Sequence, residues 1–280
     1  MKIVTLIDDL RNSIDSSKKE GKTVGFVPTM GFLHEGHLSL IHQAREENDI
    51  VVISIFVNPL QFGPNEDFDK YPRDMERDEQ LAREAGVDYL FYPTVQEMYG
   101  EHQTVLVKVM ERTDVLCGKS RPGHFDGVAT VLTKLFNIVQ PVRAYFGLKD
   151  AQQVAVVDGL IHDLDFPIEL VGVEIKREED GLARSSRNIN LLPEEREEAP
   201  AIYQSLQMVV KMIKSGTAIE DAVQKGKHFL SQSISGTIDY YEVLSYPELK
   251  VTIENSKKII IAAAVQYTSV RLIDNIILEK

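Results

Sequence analysis

Two histidines three residues apart, His34 and His37, lie in the run Pro28-Thr29-Met30-Gly31-Phe32-Leu33-His34-Glu35-Gly36-His37, between an apolar segment and a helix pattern that opens at Leu38. At that spacing both rings share one face of a helical turn. The glycines let backbone approach a ligand closely. A helix N-terminus also presents unpaired N–H groups and partial positive charge, which suit a phosphate. Two imidazoles aimed at phosphorus can donate hydrogen bonds to the charge that builds there during attack. A zinc pair would need a third ligand, and none is convincingly placed. Structural histidines are the other reading; the glycine-bracketed strand-to-helix position favours the nucleotide.

Three further loops carry suitable chemistry. Phe56-Val57-Asn58-Pro59-Leu60-Gln61-Phe62-Gly63 follows a second apolar run, and Asn58 and Gln61 can read a small polar ligand, although Asn-Pro with a nearby glycine also suits a plain turn. Gly147-Leu148-Lys149-Asp150-Ala151-Gln152-Gln153 follows another, with Asp150 at a capping position and Lys149 at a helix start. A cation there is unfavourable for the helix dipole, so an anionic ligand would explain it. Asp180-Gly181-Leu182-Ala183-Arg184-Ser185-Ser186-Arg187-Asn188 offers hydroxyls and arginines to phosphate oxygens. No Ser-His-Asp or Cys-His set suggests a covalent acyl-enzyme.

The elements that must position these loops follow from periodicity. Apolar runs at Thr23–Val27, Ile50–Val57, Tyr89–Tyr92, Thr104–Val109, Ala144–Phe146 and Ile168–Val173 alternate with amphipathic segments. That alternation predicts an α/β fold, a Rossmann-like parallel sheet with helices on both faces. Val128, Val131, Leu132, Leu135 and Phe136 form one helical stripe, and Asp74 to Gly86 is another helix. Arg177 to Asn190 is highly charged and reads as a mobile connection. Pro193 then opens a helix with its stripe at Ile202, Leu206, Val209, Val210 and Ile213, a second helix runs to about Leu230, and three β-rich runs follow at Ile238–Leu244, Lys258–Val265 and Tyr267–Ile273. The expected division is residues 1–176, a ligand-binding domain, and 177–280, a smaller α+β domain.

Composition narrows the function. With 280 residues and a formal net charge of −12, the chain is a poor candidate for coating nucleic acid, which needs clustered Lys and Arg. No apolar run approaches the ~20 residues of a bilayer span. The single cysteine, Cys117, suits a reducing compartment, and the reading is cytoplasmic.

His34-x-Gly36-His37 resembles the HIGH element of class I adenylate-forming enzymes and nucleotidylyltransferases, and Ala183 to Arg187 stands where their KMSKS-like loop would lie. More closely, Pro28–His37, Asn58–Arg73, Arg121–Gly127, Gly147–Gln153 and Asp180–Asn190 together resemble the pantoate–β-alanine ligases. The resemblance implies ATP as co-substrate with Mg2+, a pantoyl-adenylate intermediate, a C-terminal lid and a homodimer. It also implies ATP contacts from Met30, Gly31, Phe32, Leu33, His34, Glu35, Gly36 and His37, from Gly147, Leu148, Lys149 and Asp150, and from Lys176, Arg184, Ser185, Ser186 and Arg187. His37, His34, Lys149 and Arg187 take the catalytic roles. Gln61 and Gln153, with Pro28, Met30 and Asn58, hold pantoate and β-alanine. Asp78 matches a position linked with magnesium, or is one more carboxylate on a charged helix. Arg184 and Lys176 depart from the family, which commonly has Met and an apolar residue there. A nucleotidylyltransferase acting on another small acceptor is the alternative, and a non-catalytic nucleotide sensor a more distant one.

Overall fold

The computed structural model describes residues 1–63, 68–69 and 71–280. In chain order it runs β1 (Lys2–Val4), α1 (Ile7–Lys19), β2 (Val24–Thr29), α2 (Glu35–Glu47), β3 (Ile50–Ile55), α3 (Met75–Glu84), β4 (Tyr89–Phe91), α4 (Val95–Tyr99), α5 (Leu116–Ser120), α6 (His124–Val139), β5 (Arg143–Gly147), α7 (Ala151–Asp163) and β6 (Glu169–Val173). There follow α8 (Pro193–Glu198), α9 (Ala201–Lys214), α10 (Ile219–Ser233), β7 (Thr237–Ser245), β8 (Lys258–Gln266) and β9 (Arg271–Glu279). Two compact units emerge. One comprises Met1–Thr113, Cys117–Leu148 and Val156–Glu174; the other comprises Asp114–Leu116, Lys149–Ala155 and Ile175–Lys280.

The first unit holds a six-stranded sheet in the order β1-β4-β3-β2-β5-β6, with every described pairing parallel. Its central strands are continuously apolar because both faces are covered: Val24, Phe26, Val27, Val51, Val52 and Ile53 are fully buried. The strand order reverses between β2 and β5, and such a switch point opens a crevice at the strands' C-terminal ends. There β2 pairs with β5 only at Gly25 and Phe26, so Pro28, which has no N–H to give, falls beyond the shared ladder. The α6 stripe is buried as the periodicity required.

The second unit is α+β. An antiparallel sheet β7-β8-β9 packs against α9 and α10 around Ile202, Leu206, Val209, Leu230, Ile261 and Val265.

Three expectations need correction. Thr104–Val109 is not a strand: Val107 N–H and Val109 N–H donate to Thr130 Oγ1 (3.0 Å) and Asp126 Oδ1 (2.8 Å) of α6, so side chains replace a ladder. The helix opened by Pro193 stops at Glu198, and α9 starts after Pro200, which lacks the N–H a continuous helix would use. Tyr267 belongs to a turn, its N–H donating to Val270 O (2.8 Å), and β9 begins only at Arg271. The charged run from Arg177 begins with a closed turn: Arg177 bridges Ala183, Arg184 N–H donates to Lys176 O (2.9 Å), and Gly181 supplies the left-handed residue at φ 95°. β1 carries no signal in the sequence reading, being too short to show a period.

Candidate active site

The loop after β2 carries the two histidines. His34 is the N-cap of α2, and its Nδ1 accepts from Gly36 N–H (3.1 Å). His34 N–H in turn donates to His37 Nδ1 (3.3 Å), and the ring centroids lie 4.1 Å apart. Since both Nδ1 atoms accept, each neutral imidazole carries its proton on Nε2. The donor each ring can aim at an anion is therefore Nε2–H.

The loop's main chain is accounted for residue by residue. Gly31 N–H donates to Thr29 Oγ1 (3.1 Å), Phe32 N–H to Asp78 Oδ2 (2.7 Å) and Leu33 N–H to Asp78 Oδ1 (2.6 Å). Gly31 and Phe32 both adopt positive φ, 84° and 52°. For phenylalanine that conformation costs ~1–2 kcal/mol, so the surrounding bonds must hold it. A side chain on Gly31 would press on Ile55 Cγ2 at 2.8 Å and Asp78 Oδ2 at 3.1 Å. The expected cradle of open N–H groups is thus largely filled by the chain itself, and the imidazoles remain as the donors.

Asp78 does not fit the magnesium role. It is 1% exposed, and both oxygens already accept short N–H bonds. Burial pushes its carboxyl above the usual range, while the Leu33 and Phe32 N–H groups and Arg77 pull the other way. Among the described residues no group of three His, Cys, Asp or Glu side chains is placed to hold a metal ion.

The loop after β3 presents Gln61 from a 3-10 turn at Pro59–Gln61. Asn58 is fully buried and saturated: its Nδ2 donates to Gln61 Oε1 (3.0 Å) and Gly127 O (3.0 Å), and its Oδ1 accepts from Leu60 N–H (3.2 Å) and Tyr99 OH (2.8 Å). All four hydrogen-bonding positions of its amide are used, so it orients Gln61 rather than reading a ligand directly. Burial pushes the Tyr99 hydroxyl well above its ordinary pKa, keeping it a donor. The turn's other side is held by His124 Nδ1 (2.8 Å) and Arg121 Nη2 (3.3 Å) at Gln61 O. A Cβ on Gly127 would strike Leu60 O at 2.2 Å, so only glycine lets α6 approach this turn. The quoted stretch Asn58–Arg73 is described except for residues 64–67 and 70, which lie outside the described residues.

Sequence reasoning gave Tyr99 no part, and it quoted His124 and Gly127 only within the matching stretch Arg121–Gly127, without a role. A glycine inside the α6 stripe is the local signal, since such a residue marks close backbone approach. Beside the loops lies a cavity of about 340 Å³ at the ends of β2, β3 and β4, lined by Met30, Phe32, Phe56, Phe68, Arg73 and Tyr92 among others.

The structure brings Pro28, Met30–His37, Asn58, Gln61, Gly147 and Leu148 into the first unit, and puts Lys149, Asp150, Gln153, Lys176 and Arg184–Arg187 in the second. Lys149 is half-buried in a 3-10 turn before α7, and its carbonyl accepts from Asn275 Nδ2 (3.0 Å). Ser185 Oγ caps the short turn Ser186–Asn190 by accepting from Arg187 N–H (3.2 Å), and Arg187 is exposed. Asn188 ties that turn down through Glu178 Oε1 (3.0 Å) and Ala183 O (3.1 Å). None of the described helices is long and apolar enough to cross a membrane.

Comparison with known proteins identifies the family. A family model described as pantoate-beta-alanine ligase matches residues 2–277. A pantothenate synthetase of Geobacillus sp. (strain WCH70) is 61% identical over 280 residues, covering 100% of this chain and 99% of the relative. That of Bacillus subtilis (strain 168) is 58% identical over 279 residues, covering 100% and 98%. Among solved structures, a pantothenate synthetase from Thermus thermophilus superposes with a TM-score of 0.93 at 46% identity, covering 99% of each chain. A pantoate-beta-alanine ligase from Francisella tularensis, complexed with beta-gamma ATP and beta-alanine, gives a TM-score of 0.79 at 34% identity, covering 99% and 97%.

Proposed function

The chain belongs to the pantoate–β-alanine ligase family and is an enzyme joining pantoate to β-alanine through an amide bond, and on that premise we propose how its residues divide the reaction. The reaction uses ATP in two steps. A pantoate carboxylate oxygen attacks the α-phosphorus, the bond to pyrophosphate breaks, and pantoyl adenylate forms. The β-alanine amine then attacks the acyl carbon, the C–N bond forms, AMP leaves, and the amine loses a proton. Adenylation is needed because a carboxylate oxygen is otherwise too poor a leaving group for an amine to displace. The relative solved with ATP and β-alanine supports this choice of co-substrates.

The observation that carries the assignment is the paired histidines with both Nδ1 atoms occupied by backbone N–H. Their Nε2–H groups meet the phosphates and stabilise charge as pyrophosphate departs, with His37 the proton donor. Met30 to His37, with Gly147 and Leu148, form the nucleotide loops of the first unit. Gln61 and Gln153, with Pro28 and Met30, hold pantoate and β-alanine, Asn58 acting through Gln61. Lys149, Asp150, Lys176, Arg184, Ser185, Ser186 and Arg187 give the second unit its nucleotide role, by charge and hydroxyl type. Residues 177–280 serve as a lid, because free adenylate hydrolyses readily. Mg2+ enters on the triphosphate with its own waters, as this ion commonly does, and not on Asp78. A homodimer and a cytoplasmic setting complete the proposal, the latter in keeping with the lone Cys117.

The test is to incubate purified protein with ATP, Mg2+ and pantoate, with and without β-alanine, and follow pyrophosphate, AMP and product by mass. Pyrophosphate on pantoate addition, with AMP and pantothenate released only when β-alanine is present, is the expected result. No pantoate-dependent pyrophosphate would refute the two-step scheme.

A further inference from the structure

The residues that shape the histidine loop come from outside it. Asp78 reaches from α3 to take the N–H groups of Phe32 and Leu33 on separate oxygens. Its neighbour Arg77 donates from Nη1 to Leu33 O (2.8 Å) and lies 5.4 Å from the centroid of the Phe32 ring. Together they grip both main-chain polar groups of Leu33 and both the N–H and the ring of Phe32. Asp74 Oδ1 accepts from Arg77 N–H (3.2 Å), capping α3 and fixing where the pair projects. On the other side, Thr29 Oγ1 accepts from Gly31 N–H (3.1 Å) while donating to Ser54 O (2.8 Å), which anchors the loop to β3. The left-handed turn at Gly31 and Phe32 is therefore fixed at both ends, with Leu33 between it and His34.

We propose that Arg77 and Asp78 are positioning residues for the adenylation step, holding Gly31–Leu33 in the turn that aims His34 and His37. The proposal rests on the reading that these histidines meet the ATP phosphates. Neither residue is asked to touch substrate. A carboxylate is required, because only an acceptor on both oxygens satisfies two adjacent N–H groups; an amide offers one oxygen and turns two donors towards the other N–H. A loop displaced by even an ångström can lower a rate by ~10²-fold without removing a reacting group.

The test uses full-length Asp78→Asn and Arg77→Gln proteins. Two quantities are read: amide hydrogen exchange at Phe32 and Leu33, and steady-state rates at varied Mg2+, ATP and β-alanine. For Asp78→Asn, exchange at both amides rises at least tenfold. kcat for pantoate-dependent pyrophosphate release falls about 10²-fold, while the KM for β-alanine and the half-saturating Mg2+ stay within twofold. Arg77→Gln, which keeps the carboxylate and serves if Asp78→Asn does not fold, gives the same pattern at several-fold size. A raised Mg2+ requirement with unchanged exchange would instead make Asp78 a metal ligand and overturn the proposal. Faster exchange with unchanged kcat would leave the pair merely structural, which also overturns it. Exchange is read without turnover, so a failure of the ATP reading would show separately, as parent protein that releases no pyrophosphate.

Discussion

Asp78 and Asp274 are both buried, 1% and 4% exposed, yet they are neutralised differently. Asp78 faces main-chain N–H groups of a functional loop. Asp274, on β9, faces a guanidinium: Arg177 Nη1 and Nη2 donate to its two oxygens at 2.6 and 3.0 Å, with Asn275 N–H at 2.8 Å. The Arg177 guanidinium also lies 3.5 Å from the Tyr203 ring centroid. An anion held by backbone N–H groups fixes the path of a few residues. An anion held by a bidentate arginine fixes the register of distant segments, here the 177–183 turn against β9. Losing the first should damage catalysis more than stability; losing the second should do the reverse.

The largest expected effect lies on the Asp274 side. Arg177→Ala leaves a buried carboxylate without its counter-charge and should lower stability by ~3–5 kcal/mol. Urea denaturation of parent and variant would read this directly. If the comparison holds, folded Arg177→Ala retains the parent's pyrophosphate release within a few-fold, whereas Asp78→Asn shows the opposite balance. Comparable stability loss in both variants would break the distinction.

These partners differ in how far the sequence disclosed them. The sheet was legible because runs such as Ile50–Ile55 are apolar throughout, and only strands covered on both faces need that. His34 and His37 were legible because glycines and a strand-to-helix change surround them. Asp78 was legible only by resemblance, which linked it with magnesium and said nothing of its bonds to Phe32 and Leu33. Its actual partners lie about 45 residues away, and nothing local in Met75–Glu84 announces which loop that helix will face. Thr104–Val109 misled for a related reason. Its alternation is that of a strand, but Thr130 and Asp126 supply the acceptors a neighbouring strand would have given. The Arg177–Asn190 run was legible as charged, but composition did not show which partners its charges take: Arg177 with Asp274, and Glu178 and Asp180 with Arg196 at 2.7 and 2.6 Å.

Asn58 offers an intermediate case, a buried neutral group that fixes another side chain. Asn58→Ala strands Tyr99 OH, Gln61 Oε1 and Gly127 O without their partner. The expected loss is ~1–3 kcal/mol for unsatisfied buried groups, smaller than for Arg177→Ala because no charge is exposed to the interior. Since Gln61 also loses its orientation, the KM for pantoate should rise while that for ATP holds. Thermal melting together with the two KM values separates these outcomes; an unchanged pantoate KM would confine Asn58 to stability.

The smallest effect is expected at the other end of the turn that Arg177 opens. Arg184 makes its described main-chain bond through N–H to Lys176 O (2.9 Å), which any residue but proline retains, so Arg184→Met should leave the turn folded. What changes is one positive charge on a half-buried side chain, in a segment assigned to the triphosphate. An interaction of that exposure contributes ~0.5–1 kcal/mol, a rise of about two- to fivefold in the nucleotide KM with kcat unchanged. Salt supplies the control. The contribution is long-range and screened, so the difference between parent and variant should shrink as ionic strength passes ~0.15 M, where the Debye length falls to ~8 Å. The Arg177 pair, held bidentate and largely out of water, should keep most of its effect in the same salt series. A nucleotide KM that does not move in Arg184→Met at low salt would remove this arginine from the phosphate grip and leave the comparison to Arg177 alone.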